Sequence, residues 1–216
     1  MTAMKEPFVI TISREVGSGG RTIGRKLAQK LGVRYSDKEL IKALEEKFNL
    51  TVNGIEKLKG EKKNWLADFI QLVAPVPSAK LLDVDTKYTQ EFRSDLSAKD
   101  VYEAEKEILN AIADEGSCVI AGRSGFFVLK DRPNKVNIFI TASRDNRIAR
   151  VMRKQNLTQE QATELVDSLD KSRENYVQRC AGVSRYDARN YDLVINMDLL
   201  PNENAAVDII LKFIGE

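Results

Sequence analysis

The stretch Phe8-Val-Ile-Thr-Ile-Ser-Arg-Glu-Val-Gly-Ser-Gly-Gly-Arg-Thr-Ile-Gly-Arg-Lys-Leu-Ala28 decides the fold. Phe8, Val9, Ile10 and Ile12 make a short apolar run with β-branched residues, the pattern of a central parallel strand. Gly17, Gly19 and Gly20 admit backbone conformations closed to residues with a Cβ and let a ligand approach the main chain. Ile23, Leu27 and Leu31 then recur at helical spacing, and Gly32 is a stop signal. A strand that runs through a glycine turn into a helix N-terminus gathers several backbone N–H groups at one spot, which attracts phosphate.

Outward from this unit, Val33-Arg-Tyr35 predicts a second strand ending at Ser36-Asp37. A helix follows, with Leu40, Ile41, Leu44 and Phe48 on one face. Trp65, Phe69, Leu72 and Val73 form an apolar helical stripe closed by Pro75 and Pro77, suited to docking on the domain or to a homodimer contact. Asp100 to Ala113 reads as helix and Cys118-Val-Ile-Ala121 as a buried strand running into Gly122-Arg123-Ser124-Gly125. A strand at 136–140, a helix at 144–154, a helix opened by the capping box Thr158/Gln161, a strand at 191–196 and a last helix complete the chain. The alternation implies an α/β fold with a parallel sheet of about five strands, helices on both faces and right-handed crossovers. Ligands of such sheets bind beyond the carboxyl ends of the strands. The turns at 13–20, 36–37 and 122–125 are therefore expected to meet in one cleft.

Bulk properties prune the functions. The 34 basic and 32 acidic residues leave a formal charge of +2, which favours neither nucleic acid nor an anionic membrane. No apolar run is long enough for a bilayer and no signal-peptide pattern is read, so a cytoplasmic protein is expected. Cys118 and Cys180 lack metal or redox spacing and are expected to be reduced thiols. Histidine is absent, which removes His-based triads, His general bases and most zinc sites.

Two phosphate motifs compete for the glycine turn. The dinucleotide fingerprint G-x-G-x-x-G matches at Gly17 and Gly19, with Asp37 as a ribose-binding acid, but its third position is Thr22 and the turn is long. The P-loop G-x-x-x-x-G-K-[ST] fits imperfectly: it puts Thr22 close to where a hydroxyl holds magnesium, with Arg14 in place of the leading glycine, Gly20 in place of the lysine and Arg21 after it. The later helices favour the P-loop. Arg144, Arg147, Arg150 and Arg153 recur every three residues, a spacing that costs roughly 0.2–0.5 kcal/mol per like-charged pair unless an anion offsets it. Asp170 and Arg173 share one side of the next helix. Two arginine-bearing helices suit a phosphate-closing lid, and phosphoryl transfer needs positioning and charge rather than histidine.

At this point the chain resembles the cytidylate kinase-like family, relatives of bacterial cytidylate kinases among the P-loop nucleoside monophosphate kinases. The resemblance lies in Ile10-Thr-Ile-Ser-Arg-Glu-Val-Gly-Ser-Gly-Gly-Arg21, Tyr35-Ser-Asp-Lys-Glu-Leu-Ile41, Val119-Ile-Ala-Gly-Arg123, Asp170-Lys-Ser-Arg173 and Tyr191-Asp-Leu-Val-Ile-Asn196. It implies a P-loop NTPase-type three-layer α/β/α fold over residues 1–216, with an inserted helical acceptor-side region at 38–100 and lid-like helices at 144–185. Where cytidylate kinases carry D-G-R-D this chain has Ala121-Gly122-Arg123-Ser124. The lid pattern R-D-x-x-D-x-x-R is matched at Asp167, Asp170 and Arg173, with Val166 at its first arginine.

The expected function is therefore ATP- and Mg-dependent phosphoryl transfer from a nucleotide donor to a nucleoside monophosphate or a related phosphorylated or hydroxyl acceptor. The alternative is a regulatory nucleotide-binding protein with little turnover. ATP is expected over Arg14, Gly17, Ser18, Gly19, Gly20, Arg21 and Thr22, flanked by Arg150. Thr22 would serve Mg, Asp37 and Arg123 the acceptor, and Arg21, Arg123, Arg153, Asp170 and Arg173 the transfer. Losing the lysine's phosphate contact, worth roughly 1.5–3 kcal/mol, would cost on the order of 10–150-fold unless Arg21 or Arg14 restores the charge.

Overall fold

The computed structural model describes residues 7–37, 98–122 and 124–216. The predicted helix at 40–48, the stripe Trp65 to Val73 and Arg123 lie outside them. Strand β1 (Val9–Arg14) leads into helix α1 (Gly20–Leu31) and strand β2 (Arg34–Ser36). Helix α2 (Ala98–Asp114), strand β3 (Cys118–Ala121), the single turn α3 (Gly125–Val128) and strand β4 (Lys135–Thr141) follow. Helices α4 (Arg144–Gln155) and α5 (Gln159–Ala181) precede strand β5 (Leu193–Asn196) and helix α6 (Glu203–Ile214). The sheet is parallel throughout, in the order β2-β3-β1-β4-β5.

β1 is central because its residues can be buried on both faces. Ile10 and Ile12 pack with Ile23 and Leu27 of α1 and with Val207, Ile210 and Ile214 of α6. By the two-residue alternation of a strand, Thr11 faces the other side. There it lies under Gly125 of α3, and its hydroxyl donates to Asn137 Oδ1 at 2.7 Å. A second small core joins Val16 of the glycine loop to Ile148 and Val151 of α4 and to Ala162 and Val166 of α5. These two helices are thus anchored on the loop itself.

The punctuation read from the sequence is present. Gly32 ends α1 at φ +66°, and Thr158 with Gln161 forms the expected capping box at α5. Because all five strands are parallel, Arg14, Ser36, Ala121, Thr141 and Asn196 end at one side of the sheet. The chain leaves β1 toward β2 and the adjacent β4 toward β5, in opposite directions, which opens a crevice between these two strands. No described helix is long and apolar enough to cross a membrane.

Candidate active site

The loop between β1 and α1 takes its shape from two glycines. Gly17 has φ +84° and Gly19, the residue capping α1, has φ +94°. A side chain on Gly17 would also fall onto the main-chain carbonyl of Arg147. Ser18 closes the loop, its hydroxyl donating to the Glu15 carbonyl at 2.9 Å. As a result the N–H groups of Gly17, Gly19, Gly20 and Arg21 donate to no described residue. They converge at the positive end of a twelve-residue helix.

A buried carboxylate holds this loop from behind. Asp170 of α5 accepts from the Val16 N–H at 3.0 Å, from Arg147 Nη1 at 2.7 Å and from Arg185 Nη1 at 3.4 Å. Arg173 lies 3.6 Å away. Arg147 donates further to the carbonyls of Val16 and Ala142, at 3.2 and 3.1 Å, and lies 3.5 Å from Glu15. Glu15 in turn accepts from the Thr141 hydroxyl. Arg185, buried and stacked on Phe139 and Tyr186, donates to the Arg14 carbonyl, as does Arg173 at 3.4 Å.

In front of the loop stands Asp37. Its carboxylate accepts from Arg14 Nη2 at 3.2 Å and forms an ion pair with Arg21, whose Nε lies 2.6 Å away, and it is buried. The Arg14 stem lies under Gly20, and its guanidinium reaches the turn after β3 at Gly122. Burial pulls Arg14 below the ordinary arginine value, opposed mainly by Asp37. Burial and then Asp37 push the neighbouring Tyr35 phenol up to about 12. The three turns expected to converge do so through this one arginine.

The arginine stripe on α4 has a different explanation from the one its spacing suggested. Carboxylates of the chain itself offset three of its members. Arg144 makes a two-point contact with Asp167, Arg147 meets Asp170 and Glu15, and Arg150 meets Glu203 at the start of α6. Arg150 also leans over Gly19, with its guanidinium carbon 3.4 Å from where a Cβ would be. The Glu203 carboxyl sits below its usual range: burial pushes it up, but Arg150 and the helix N-terminus hold the charged form. Arg153 is exposed.

Around the loop, Arg14 and Arg21 meet Asp37, Arg147 meets Glu15 and Asp170, and Arg173 and Arg185 lie against Asp170. These guanidinium groups surround the open N–H groups of the loop. That suits a phosphate, which carries about two negative charges near neutral pH. Arg185 and Glu15 were not among the residues singled out from the sequence. Arg185 sits in an aperiodic connection, and no spacing rule links it to β1.

A cleft of about 40 Å³ opens next to this cluster, lined by Arg14, Gly122, Ser124, Tyr176, Arg173 and Arg185 among others. It has room for a few waters or one small charged group. Ser124, in the left-handed conformation at φ 52°, is buried there, and its hydroxyl has no partner among the described residues. The Tyr176 hydroxyl, on the cleft's wall, donates to the buried Glu105. No group of three or more metal-ligating side chains occurs among the described residues.

The parallel 2-3-1-4-5 sheet, the open glycine loop at the end of β1 and the arginines around it define a P-loop fold of the kinase type. Comparison with known proteins agrees. An uncharacterized protein from Eubacterium ventriosum superposes with a TM-score of 0.66 at 23% identity, covering 96% of this chain and 98% of that one. A shikimate kinase from Bacteroides thetaiotaomicron gives 0.54 at 14% identity, covering 98% and 100%. By sequence, a cytidylate kinase from Sulfurisphaera tokodaii is 24% identical over 198 residues, 91% of this chain and 90% of that protein. The chain belongs to the cytidylate kinase-like family, whose profile it matches over residues 9–199.

Proposed function

We propose that the protein transfers a phosphoryl group from ATP, with Mg, to a small phosphorylated acceptor of the nucleoside monophosphate type. The observation that carries this reading is a glycine loop at the start of α1, set among arginines, whose N–H groups at Gly17, Gly19, Gly20 and Arg21 have no partner among the described residues. The residues fit the implied groups. The open amides of Gly17, Gly19, Gly20 and Arg21 suit donor phosphates. The Thr22 hydroxyl, in the first turn of α1, suits a magnesium ion that keeps most of its waters, and a cage of carboxylates is not required. Magnesium, when bound, neutralises charge on the donor phosphates.

The chain's own part is positioning and charge. Arg150 flanks the loop, while Arg173 and Arg185 grip the main chain at the end of β1. Arg21 is assigned to the donor side and Arg153 to the transferring group. The family resemblance assigns Arg123 to the acceptor. Asp37 supports a phosphorylated acceptor over a hydroxyl one. A hydroxyl needs a base, and this carboxylate is already committed to two arginines. A monophosphate is ionised and needs none.

Incubation with Mg-ATP and a panel of monophosphates and nucleosides tests the reading. ADP is expected with at least one monophosphate, none with nucleosides, and none in EDTA. The absence of product with every acceptor overturns the catalytic reading. One observation favours a second reading, nucleotide binding without turnover: Gly20 puts no cation on the helix where a P-loop carries lysine. Tight ATP binding with no transfer would select it.

A further inference from the structure

The two departures from the P-loop pattern, arginine for the leading glycine and glycine for the lysine, lie against each other. A Cβ built on Gly20 would stand 2.5 Å from Arg14 Cβ and 2.9 Å from its Cγ. Real Cβ atoms do not approach that closely, so one of the two must give way. Arg14 has little freedom to do so. Its carbonyl accepts from Arg173 and Arg185, its guanidinium holds Asp37 at 3.2 Å, and Nη1 lies against the turn at Gly122. Gly122, at φ +83°, leaves the path open, since any side chain there would collide with Arg14 Nη1.

The geometry points to a single coupled exchange: the phosphate-facing cation of the P-loop has moved from the helix to the strand. With arginine at 14, only glycine fits at 20. With glycine at 14, the space under residue 20 reopens and lysine can return. Arg14 lines the cleft between the loop and the β3–α3 turn, the region between donor and acceptor, whereas Arg21 does not and is half exposed. Arg14 is thus the residue that takes the lysine's place, and Gly20 is obligatory because of it. This assignment rests on the P-loop reading above.

The test combines ATP affinity with stability, so that the two readings fail separately. Calorimetry of the full chain with Mg-ATP comes first, and no binding by the unaltered protein overturns the P-loop reading and the exchange with it. Arg14→Met keeps the buried stem, removes the charge and leaves Asp37 with Arg21. It is expected to bind ATP roughly 10–150-fold more weakly, and Arg21→Ala less than about 5-fold. Binding by Arg14→Met within about 3-fold of the unaltered protein overturns the exchange and leaves the P-loop reading intact. So does an Arg21→Ala loss larger than that of Arg14→Met.

The steric half has its own readout. Gly20→Ala is expected to lower the Tm by about 2–10 °C in the unaltered background. The same drop is expected beside Arg14→Ala, which retains the Cβ. It should largely vanish beside Arg14→Gly. The pair Arg14→Gly with Gly20→Lys should recover ATP affinity that neither single variant has. Equal Tm drops in all three backgrounds, or a Gly20→Lys single variant as stable and as tight as the unaltered protein, overturn the exchange.

Discussion

Asp167 and Asp170 lie one turn apart on α5, both are ion-paired, and they should respond very differently to the same change. Asp170→Asn removes the charge that Arg147 and Arg185 share at 2.7 and 3.4 Å, in a place where the carboxylate is buried. The amide retains one acceptor oxygen for the Val16 N–H but turns donors toward guanidinium donors. Removing one partner of a buried pair leaves uncompensated charge and costs about 3–5 kcal/mol. For a chain of this size each kcal/mol moves the Tm by about 2–4 °C, so a fall of roughly 6–20 °C is expected. Asp167 pairs with Arg144 at 2.6 Å, yet both side chains are half exposed. Water and salt screen that pair, so Asp167→Asn should leave the transition within experimental scatter. Equilibrium denaturation in urea with each variant provides the comparison. A midpoint for Asp170→Asn as high as that for Asp167→Asn would refute the role of Asp170 as the anchor of the loop.

Gly17→Ala combines a left-handed backbone at φ +84° with a Cβ driven onto the Arg147 carbonyl. It should cost about 2–5 kcal/mol by thermal unfolding, and a loss under 1 kcal/mol would show that the loop can rearrange. Burial pushes the Cys118 and Cys180 thiols up to about 11 from an ordinary value of 9. At pH 8 a disulfide reagent should therefore label the folded protein about 100-fold more slowly than the denatured chain, and equal rates would contradict it. Because the folded values are raised, the stability they confer is complete below pH 9 and is lost as pH rises toward 11. Denaturation midpoints measured from pH 8 to 11 should fall across that window, and a flat profile would count against burial of the thiols.

Much of the fold was legible because it rests on local signals. The apolar run at β1, the helical spacing of Ile23 and Leu27, the stop at Gly32 and the Thr158 capping box each act within a few residues. The observed strands and helices therefore fall close to the expected positions. The short α3 went unread, since one turn carries no periodicity. The meeting of the turns after β1, β2 and β3 was also foreseeable, because a parallel sheet puts all carboxyl ends on one side. The arginine stripe was visible as a pattern, but its partners Asp167, Asp170, Glu15 and Glu203 come from three other parts of the chain. Spacing along one helix cannot show what faces it.

The sequence by itself determined the class of fold, the place of the glycine loop and the absence of histidine chemistry, because composition and short-range periodicity act before any tertiary contact forms. It left Gly20 as a missing lysine and Arg14 as a misplaced arginine, two separate defects six residues apart. Only the tertiary structure joins them. The return of the chain from β1 into α1 folds residue 20 back over residue 14, so that the volume one side chain takes is the volume the other must give up.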